Sequence, residues 1–151
     1  MAEPPDFSAA LSGALDEDAA RRAARTWQAG IDAEEWQGRE LLLHGDPHPG
    51  NVVVPSPTSA AAVTLIDWGD TTRGDPASDL GGLLLHPSAS SAGLLDLYRA
   101  SAAWTGIEDD AIWEALQARA RAWATRMALG LVLVYPEEHP LGRTGRRLLA
   151  S

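Results

Sequence analysis

The chain has 151 residues and a formal net charge of −9, from 21 acidic and 12 basic side chains. This length allows one sizeable hydrophobic core but not two, and a hydrophobic content of 45% excludes a disordered chain. An acidic balance without a basic stripe argues against a nucleic-acid or anionic-membrane partner. Cysteine is absent from the sequence, which excludes disulfides and thiolate chemistry.

The sequence favours a cytoplasmic setting. The first six residues, MAEPPD, lack the basic and apolar regions of a signal peptide. The longest apolar run, residues 127–135, is well short of the ~20 residues that cross a bilayer. We therefore expect a cytoplasmic protein with no membrane partner.

The first predicted helix begins at Asp16, because the acids Asp16-Glu17-Asp18 favour a helix N-terminus. The apolar residues that recur on one face of this helix are Ala20, Ala23, Trp27 and Ile31. Gly30 and Gly38 are the positions at which the helix is expected to break.

A loop follows the short apolar run at residues 41–43. Residues 44–51 contain two prolines and two glycines, which exclude a regular helix or a central strand there. The sequence therefore predicts a loop held between two ordered elements.

A small β-hairpin is predicted after this loop. Residues 52–54 and 62–66 are apolar and rich in β-branched residues, and the segment 55–59 between them has turn composition. Antiparallel pairing places the start of one strand beside the end of the other. We therefore expect Asn51 and Asp67 to lie close together, although they are 16 positions apart.

The rest of the chain is predicted to be helical. Asp75 and Pro76 predict an N-cap followed by proline at the first helical position, in a helix that continues to about Leu85. The further predicted helices cover residues 94–104, 109–135 and 143–149. The fold class is therefore mostly α (α+β), with helices around one small hairpin.

On the longest predicted helix, the apolar residues with helical spacing are Ile112, Leu116, Ala120, Trp123, Met127 and Val134. Arg119, Arg121 and Arg126 fall largely off that face, so we expect them to be solvated or to cover a missing lobe. His86 and His139, each followed by proline, are expected to end helices. Three tryptophans are predicted to pack in the core rather than to stack on a sugar: Trp27, Trp113 and Trp123.

Three polar residues could support phosphoryl transfer to an alcohol. That reaction needs a carboxylate to orient the attacking hydroxyl and accept its proton, and oxygen ligands to hold Mg²⁺ against the nucleotide phosphates. Magnesium usually takes one or two carboxylates and keeps water and phosphate as its other ligands. Asp46, Asn51 and Asp67 supply such a set if the hairpin forms.

The segments that carry these residues resemble those of a known family. His44-Gly45-Asp46-x-x-x-x-Asn51 resembles the catalytic loop of aminoglycoside phosphotransferases and related kinase-like enzymes, with the spacing of the protein-kinase loop. Residues 66–70 are similar to the metal-binding segment, and residues 74–80 to the segment that follows it. The three segments occur in the family's order.

The resemblance implies a role for each matching residue. Asp46 would be the catalytic base, and Asn51 and Asp67 would bind Mg²⁺ together with ATP or GTP. His44 would support the loop through hydrogen bonds, and Asp79 would brace it. The plainer alternatives are that these are turn-forming residues and that Asp79 is a first-turn helix carboxylate. Asp75 is explained as a helix cap alone.

The resemblance reaches only the C-terminal lobe of the protein-kinase-like fold. The family's N-terminal lobe is a β-sheet with a lysine that contacts the α- and β-phosphates. All 12 basic residues of this chain are arginine, and the segment before the catalytic loop is predicted to be helical. We therefore expect residues 1–151 to form a single domain without the N-terminal nucleotide-binding lobe. As an enzyme, the isolated chain is expected to be inactive or incomplete.

The expected function is that of the catalytic and substrate-binding lobe of an ATP-dependent phosphotransferase. It would transfer the γ-phosphoryl group to a hydroxyl of a small, possibly cationic molecule of the aminoglycoside type. The alternative is a catalytically inactive lobe that binds a small molecule or a protein. A face left uncovered by the missing lobe would expose apolar surface, which predicts self-association.

Overall fold

The computed structural model describes residues 7–53, 63–86, 91–101 and 109–151. These residues are mostly helical and include two small two-stranded sheets, so the predicted α+β composition is confirmed. The predicted turn at residues 55–59 lies outside the described residues, as do residue 62 of the second predicted strand and residues 102–104 of the second predicted helix after Pro76.

Along the described part of the chain, two helices come first, four short strands follow, and four helices come last. The helices are α1 (Phe7–Ala14), α2 (Glu17–Asp32), α3 (Ala77–Leu84), α4 (Ser91–Ser101), α5 (Asp110–Val134) and α6 (Pro140–Ala150). The strands are β1 (Leu41–Leu43), β2 (Val52–Val53), β3 (Thr64–Leu65) and β4 (Thr72–Gly74), with 3₁₀ turns at Pro49–Asn51 and Trp68–Asp70. None of the helices described combines the length and apolarity that a membrane span requires.

The predicted start of α2 is confirmed, but its predicted breaks are wrong. The Asp16 carboxylate accepts a hydrogen bond from the Ala19 amide, 2.9 Å away, and so caps the helix. Gly30 lies inside α2, where a Cβ atom would come within 2.3 Å of the Ala122 Cβ. This glycine therefore permits close packing on α5. The helix ends at Asp32, well before Gly38.

Helix α1 is not predicted from the sequence, because it has only two turns and depends on tertiary contacts. Phe7 and Leu11 are buried against the core formed by α2, α5 and α6. The Phe7 ring stacks on Trp27 with the ring centroids 4.5 Å apart. Burial of two large side chains compensates for weak local helix signals.

The bounds predicted for α5 are nearly right, but its predicted apolar face is partly wrong. Ile112 and Val134 are exposed, by 37% and 72%. Trp113 is buried instead, in agreement with its predicted core position, as is Trp27, whereas Trp123 is only half-buried. The reason is that α5 packs against α2, α3 and α6 on different sides, so its buried residues do not follow one stripe.

Arg119 on α5 is buried, which corrects the prediction of a solvated or lobe-covering arginine. Its Nε donates to the Asp75 carboxylate at 2.7 Å, and its guanidinium also donates to the Glu34 carbonyl. The other Asp75 oxygen accepts from the Ala77 amide at 3.0 Å. Asp75 is therefore a helix cap, as predicted, and also the partner of a buried arginine.

We expect Arg119→Met to lower the free energy of unfolding by about 2 kcal/mol. Breaking a buried pair leaves a carboxylate and a carbonyl without their donor, and the 28% exposure of the Asp75 side chain reduces the cost. Urea unfolding measures this change. Arg121→Met removes an exposed arginine from the same helix and is the matched control. A change equal to the control's would contradict the prediction.

Helix α6 begins three residues earlier than predicted. His139 does not end a helix but caps this one, because its Nδ1 accepts a hydrogen bond from the Leu141 amide at 3.2 Å. Pro140 occupies the first helical position, where its lack of an amide hydrogen costs nothing. His86, by contrast, lies two residues after the end of α3, as predicted.

The two sheets hold the loops that connect them. The predicted hairpin is confirmed, since β2 and β3 pair antiparallel with Val52 opposite Leu65. The sequence does not predict β4, which pairs antiparallel with β1 and places Leu43 opposite Thr72. The loop after β1 and the turn after β3 therefore both begin and end at paired strands.

Candidate active site

The loop after β1 is fixed to the end of β3 by His44. This side chain is 3% exposed. Its Nδ1 accepts a hydrogen bond from the Asp46 amide at 3.3 Å, so the hydrogen is on Nε2, which donates to the Ile66 carbonyl at 2.9 Å. With both ring nitrogens engaged, His44 connects the two segments and has no nitrogen free for proton transfer.

Asp79, in the first turn of α3, holds the backbone of the same loop. Its two carboxylate oxygens accept hydrogen bonds from the His44 amide at 2.7 Å and from the Gly45 amide at 2.9 Å. A carboxylate acceptor makes such bonds roughly twice as strong as neutral ones. The side chain therefore ties the residues just before Asp46 to a buried helix.

Gly45 allows the loop to touch the turn that follows β3. Its φ of +91° is in the region that favours glycine, and a Cβ atom there would lie 2.1 Å from the Asp70 carbonyl oxygen. No other residue type could occupy this position without moving one of the two backbones. The loop and the turn are therefore in direct backbone contact.

Asn51 is buried and contacts Asp46. Its Nδ2 donates to the Asp46 carbonyl at 2.9 Å and lies 3.4 Å from the Asp46 Oδ2. The Asn51 backbone carbonyl accepts from the Ile66 amide at 3.0 Å, which extends the pairing of the hairpin by one bond. Because the amide group's donors face Asp46, its Oδ1 is left for another ligand, and no hydrogen bond from a described residue occupies it.

Asp67 adopts an unusual backbone conformation at the end of the hairpin. Its φ of 61° and ψ of 68° are left-handed, and among the described residues it is the non-glycine residue with positive φ. Such a conformation costs about 1–2 kcal/mol. The preceding Ile66 is held on both sides, through its amide by Asn51 and through its carbonyl by His44, and these bonds maintain the conformation.

The hairpin thus brings together the three residues predicted to carry the chemistry. Asp46 and Asn51 are in contact, and Asp67 follows the residue that pairs with Asn51. The Asp67 carboxylate is exposed and makes no capping bond to the turn it precedes. The Asp46 side chain is 40% exposed. Two accessible carboxylates and one amide oxygen therefore share the same end of the hairpin.

Two further contacts at the site are not predicted from the sequence. Trp68 packs on His44 with ring centroids 4.6 Å apart, and its Nε1 donates to the Leu65 carbonyl at 3.1 Å. His48 Nε2 lies 3.6 Å from Asp46 Oδ2, while its Nδ1 accepts from the Gly50 amide at 2.9 Å. The signal for Trp68 was its position beside Asp67, and the signal for His48 was its place in the loop.

His86 contacts the loop from the C-terminal end of α3. Its Nε2 lies 3.4 Å from the Pro47 carbonyl oxygen. Burial lowers the pKa of His86 below its ordinary value of 6.5, and the contact with the Pro47 carbonyl partly opposes this shift. The folded protein therefore favours the neutral imidazole.

The lowered pKa of His86 predicts a loss of stability in acid. The stabilisation is present above pH 6.5 and is lost as the pH falls through the folded-state pKa, because the unfolded chain binds the proton more readily. We expect the free energy of unfolding of the wild type to fall more than that of His86→Gln between about pH 6.5 and pH 5. Urea unfolding at several pH values tests this, and parallel curves for the two proteins would contradict it.

Exposed apolar residues lie close in sequence to the candidate site. Five apolar residues with exposed side chains lie within four sequence positions of Asp46, Asn51 or Asp67: Leu42, Val53, Val63, Ile66 and Trp68. Exposed apolar side chains near polar groups are a feature of many ligand and partner sites.

Comparison with known proteins identifies the class to which these features belong. The model of the phosphotransferase enzyme family (APH) matches residues 3–118, which covers the hairpin, the loop and the first part of α5. The chain therefore belongs to the phosphotransferase enzyme family. Neither the curated proteins nor the solved structures contain a significant match to this chain.

Proposed function

We propose that the chain is the catalytic and substrate-binding lobe of a kinase-like small-molecule phosphotransferase. It transfers the γ-phosphoryl group of ATP or GTP to a hydroxyl of a small molecule, of the aminoglycoside type. Family membership supports the reaction class. The observation that supports the site is the contact between Asp46 and Asn51 on a loop that Asp79 and His44 hold beside Asp67.

Asp46 is proposed to act on the substrate hydroxyl. The bond from the hydroxyl oxygen to the γ-phosphorus forms while the bond from that phosphorus to the bridging oxygen breaks, and the nucleoside diphosphate leaves. The hydroxyl proton passes to the Asp46 carboxylate. Its 40% exposure leaves it accessible to a substrate, while its contact with Asn51 orients it.

The donor set of the site fits magnesium. The described residues contain no group of three histidine, cysteine or acidic side chains placed to hold an ion. Magnesium in nucleotide sites does not need one, since one or two carboxylates and the phosphates suffice. Asn51 Oδ1 and the Asp67 carboxylate are the oxygens proposed to hold it, and the ion would neutralise charge on the phosphates.

The exposed apolar surface at the site suits the base of the nucleotide. Val53, Ile66 and Trp68 are exposed and lie close in sequence to the proposed metal ligands, and a planar base gains free energy by covering such apolar area.

Without nucleotide, we propose that two copies of the chain cover this apolar area instead. Sedimentation velocity is expected to show a dimer that MgATP shifts towards monomer. A monomer under both conditions would contradict this self-association.

The substrate is proposed to be cationic because the chain is acidic. The net charge of −9 attracts amino-sugars and amino-alcohols and repels anionic alcohols. No nucleic acid or membrane is proposed as a partner.

The proposal is tested with the purified chain, ATP labelled in the γ-phosphoryl group, Mg²⁺, and a panel of amino-sugars and amino-alcohols. Because these residues are expected to form only the catalytic lobe, slow, Mg²⁺-dependent transfer of label to a panel member is the most that we expect from the chain alone. The matched panel of sugars without amino groups tests the charge argument, and is expected to accept less label. Absence of transfer to every acceptor, together with absence of MgATP binding in calorimetry, would overturn the proposal.

A second candidate function is a binding module without catalysis. The chain contains no lysine to contact the α- and β-phosphates, which supports this alternative. It predicts binding of a cationic small molecule or a protein without label transfer. The same assay separates the phosphotransferase from the binding module. Binding of MgATP without any label transfer favours the binding module.

A further inference from the structure

A cavity lies away from the candidate active site. It has a volume of about 360 Å³ and is formed by α2, α5, α6 and the C-terminal end of α3. This is within the size range of small-molecule sites, roughly 300–1,000 Å³. None of its lining residues belongs to residues 44–51 or 66–70, which form the candidate active site. The two sites are therefore distinct.

The side-chain charges around this cavity are positive. Arg22, Arg25 and Arg121 line it, and the lining contains no aspartate or glutamate. Ser151 also lines it, and its main-chain carboxylate offsets one of the three charges, which leaves the cavity net positive. In a chain with 21 acidic and 12 basic residues, this is a local reversal of charge. An anion approaching the molecule would find its favourable potential here.

The three guanidinium groups have spare hydrogen-bonding capacity. Arg22 donates to the Ala150 carbonyl at 3.2 Å, and Arg121 donates to the Gln117 side chain at 3.2 Å. The described residues give Arg25 no hydrogen bond, and none of the three forms an ion pair with a described acid. Other arginines, such as Arg21, are paired. Each guanidinium has five N–H donors, so most of them remain available.

The interior of the cavity is apolar. The side chains that supply this surface are Ala23, Leu84, Ala124, Leu148 and Leu149. The two threonines of the lining turn their hydroxyl hydrogens to their own helices, Thr26 to the Arg22 carbonyl and Thr125 to the Arg121 carbonyl. A ligand here would therefore contact both guanidinium groups and hydrocarbon.

We propose that this arginine-lined cavity binds a small organic anion, a carboxylate or a phosphate monoester with an apolar body. The planar guanidinium fork matches both groups through paired hydrogen bonds. The hydrocarbon part of the ligand covers the leucine side chains. Helix α3 lines the cavity with Leu84 and also holds the loop of the candidate active site through Asp79, but binding here requires no residue of that site.

Calorimetry with octanoate and with octyl phosphate as probes tests the proposal on the full chain. Both probes carry an anionic end on the same apolar body, and comparing them distinguishes the two head groups. Octylamine and inorganic phosphate are the matched controls, one with the wrong charge and one without the body. Binding of at least one anionic probe, weaker at high salt, is the expected result. Equal binding of octylamine would overturn the proposal, as would binding of neither probe.

Substitutions locate the site. The double variant Arg25→Met with Arg121→Met keeps two apolar stems and removes two charges, and is expected to weaken binding at least about tenfold. Arg126→Met is the matched control, because Arg126 is also exposed on α5 but lies over Trp123 and does not line the cavity. It is expected to bind within about twofold of the wild type. Equal affinity of the double variant would overturn the assignment, and circular dichroism shows that each variant is folded.

Discussion

The substitution Asp46→Asn is expected to reduce label transfer by about 10²–10⁴-fold while the chain stays folded. It removes the proposed proton acceptor but keeps the shape of the side chain. Its carbonyl oxygen can still lie near the Asn51 amide, and the backbone contacts of Asp46 with His44 and Asn51 do not involve the carboxylate. The loss is therefore chemical and not structural. Initial rates of label transfer measure it.

Asp96→Asn is the matched control for this experiment. Asp96 is an exposed aspartate on α4, outside the loop and the turn of the candidate site. It changes the net charge by the same amount as Asp46→Asn and is expected to leave the rate unchanged. MgATP affinity should be similar in both variants, because Asp46 is not a proposed metal ligand. Undiminished transfer in Asp46→Asn would refute the assignment of Asp46 as the base.

The hairpin at the site could be predicted from the sequence because its signals are local. Two apolar runs on either side of a turn-forming segment require antiparallel pairing, and this pairing alone brings Asn51 towards Asp67. Gly45 and Asp46 lie in a segment whose prolines and glycines exclude a helix or a central strand, so a loop is the remaining possibility. The spacing of the loop then carried the family resemblance, which the family match confirms.

Other features of the site depend on contacts between distant parts of the chain. Strand β4 contains Thr72, Arg73 and Gly74, which have no apolar alternation, so only its pairing with β1 makes it a strand. The left-handed backbone of Asp67 is set by the two bonds to Ile66. Arg119 is 44 positions from Asp75, and helical spacing could not indicate that they pair. These features are set by tertiary contacts, so they could not be predicted from the local sequence pattern.

Asp79 offers a test of how much the loop depends on its support. Asp79→Ala leaves the His44 and Gly45 amides without their carboxylate acceptor. Each hydrogen bond to a charged group contributes about 1.5–3 kcal/mol, and Asp79 is only half-buried, so we expect a loss of about 3 kcal/mol in the free energy of unfolding. Asp79→Asn keeps one acceptor oxygen, so its free energy of unfolding should lie between those of the wild type and Asp79→Ala. Ser78→Ala, at the preceding residue of α3, is the control.

The same variant separates a positioning role from a purely structural one. If Asp79 orients the loop, the displacement of Asp46 should lower kcat by about 10²-fold with little change in KM. Hydrogen exchange at the His44 and Gly45 amides should also become faster in Asp79→Ala, while exchange in the core of α5 changes less. A variant that loses stability but keeps both kcat and the slow exchange of these amides would show that Asp79 acts only as a first-turn carboxylate of α3. Since the two amides immediately precede Asp46, their exchange reports on the part of the loop that the reaction needs.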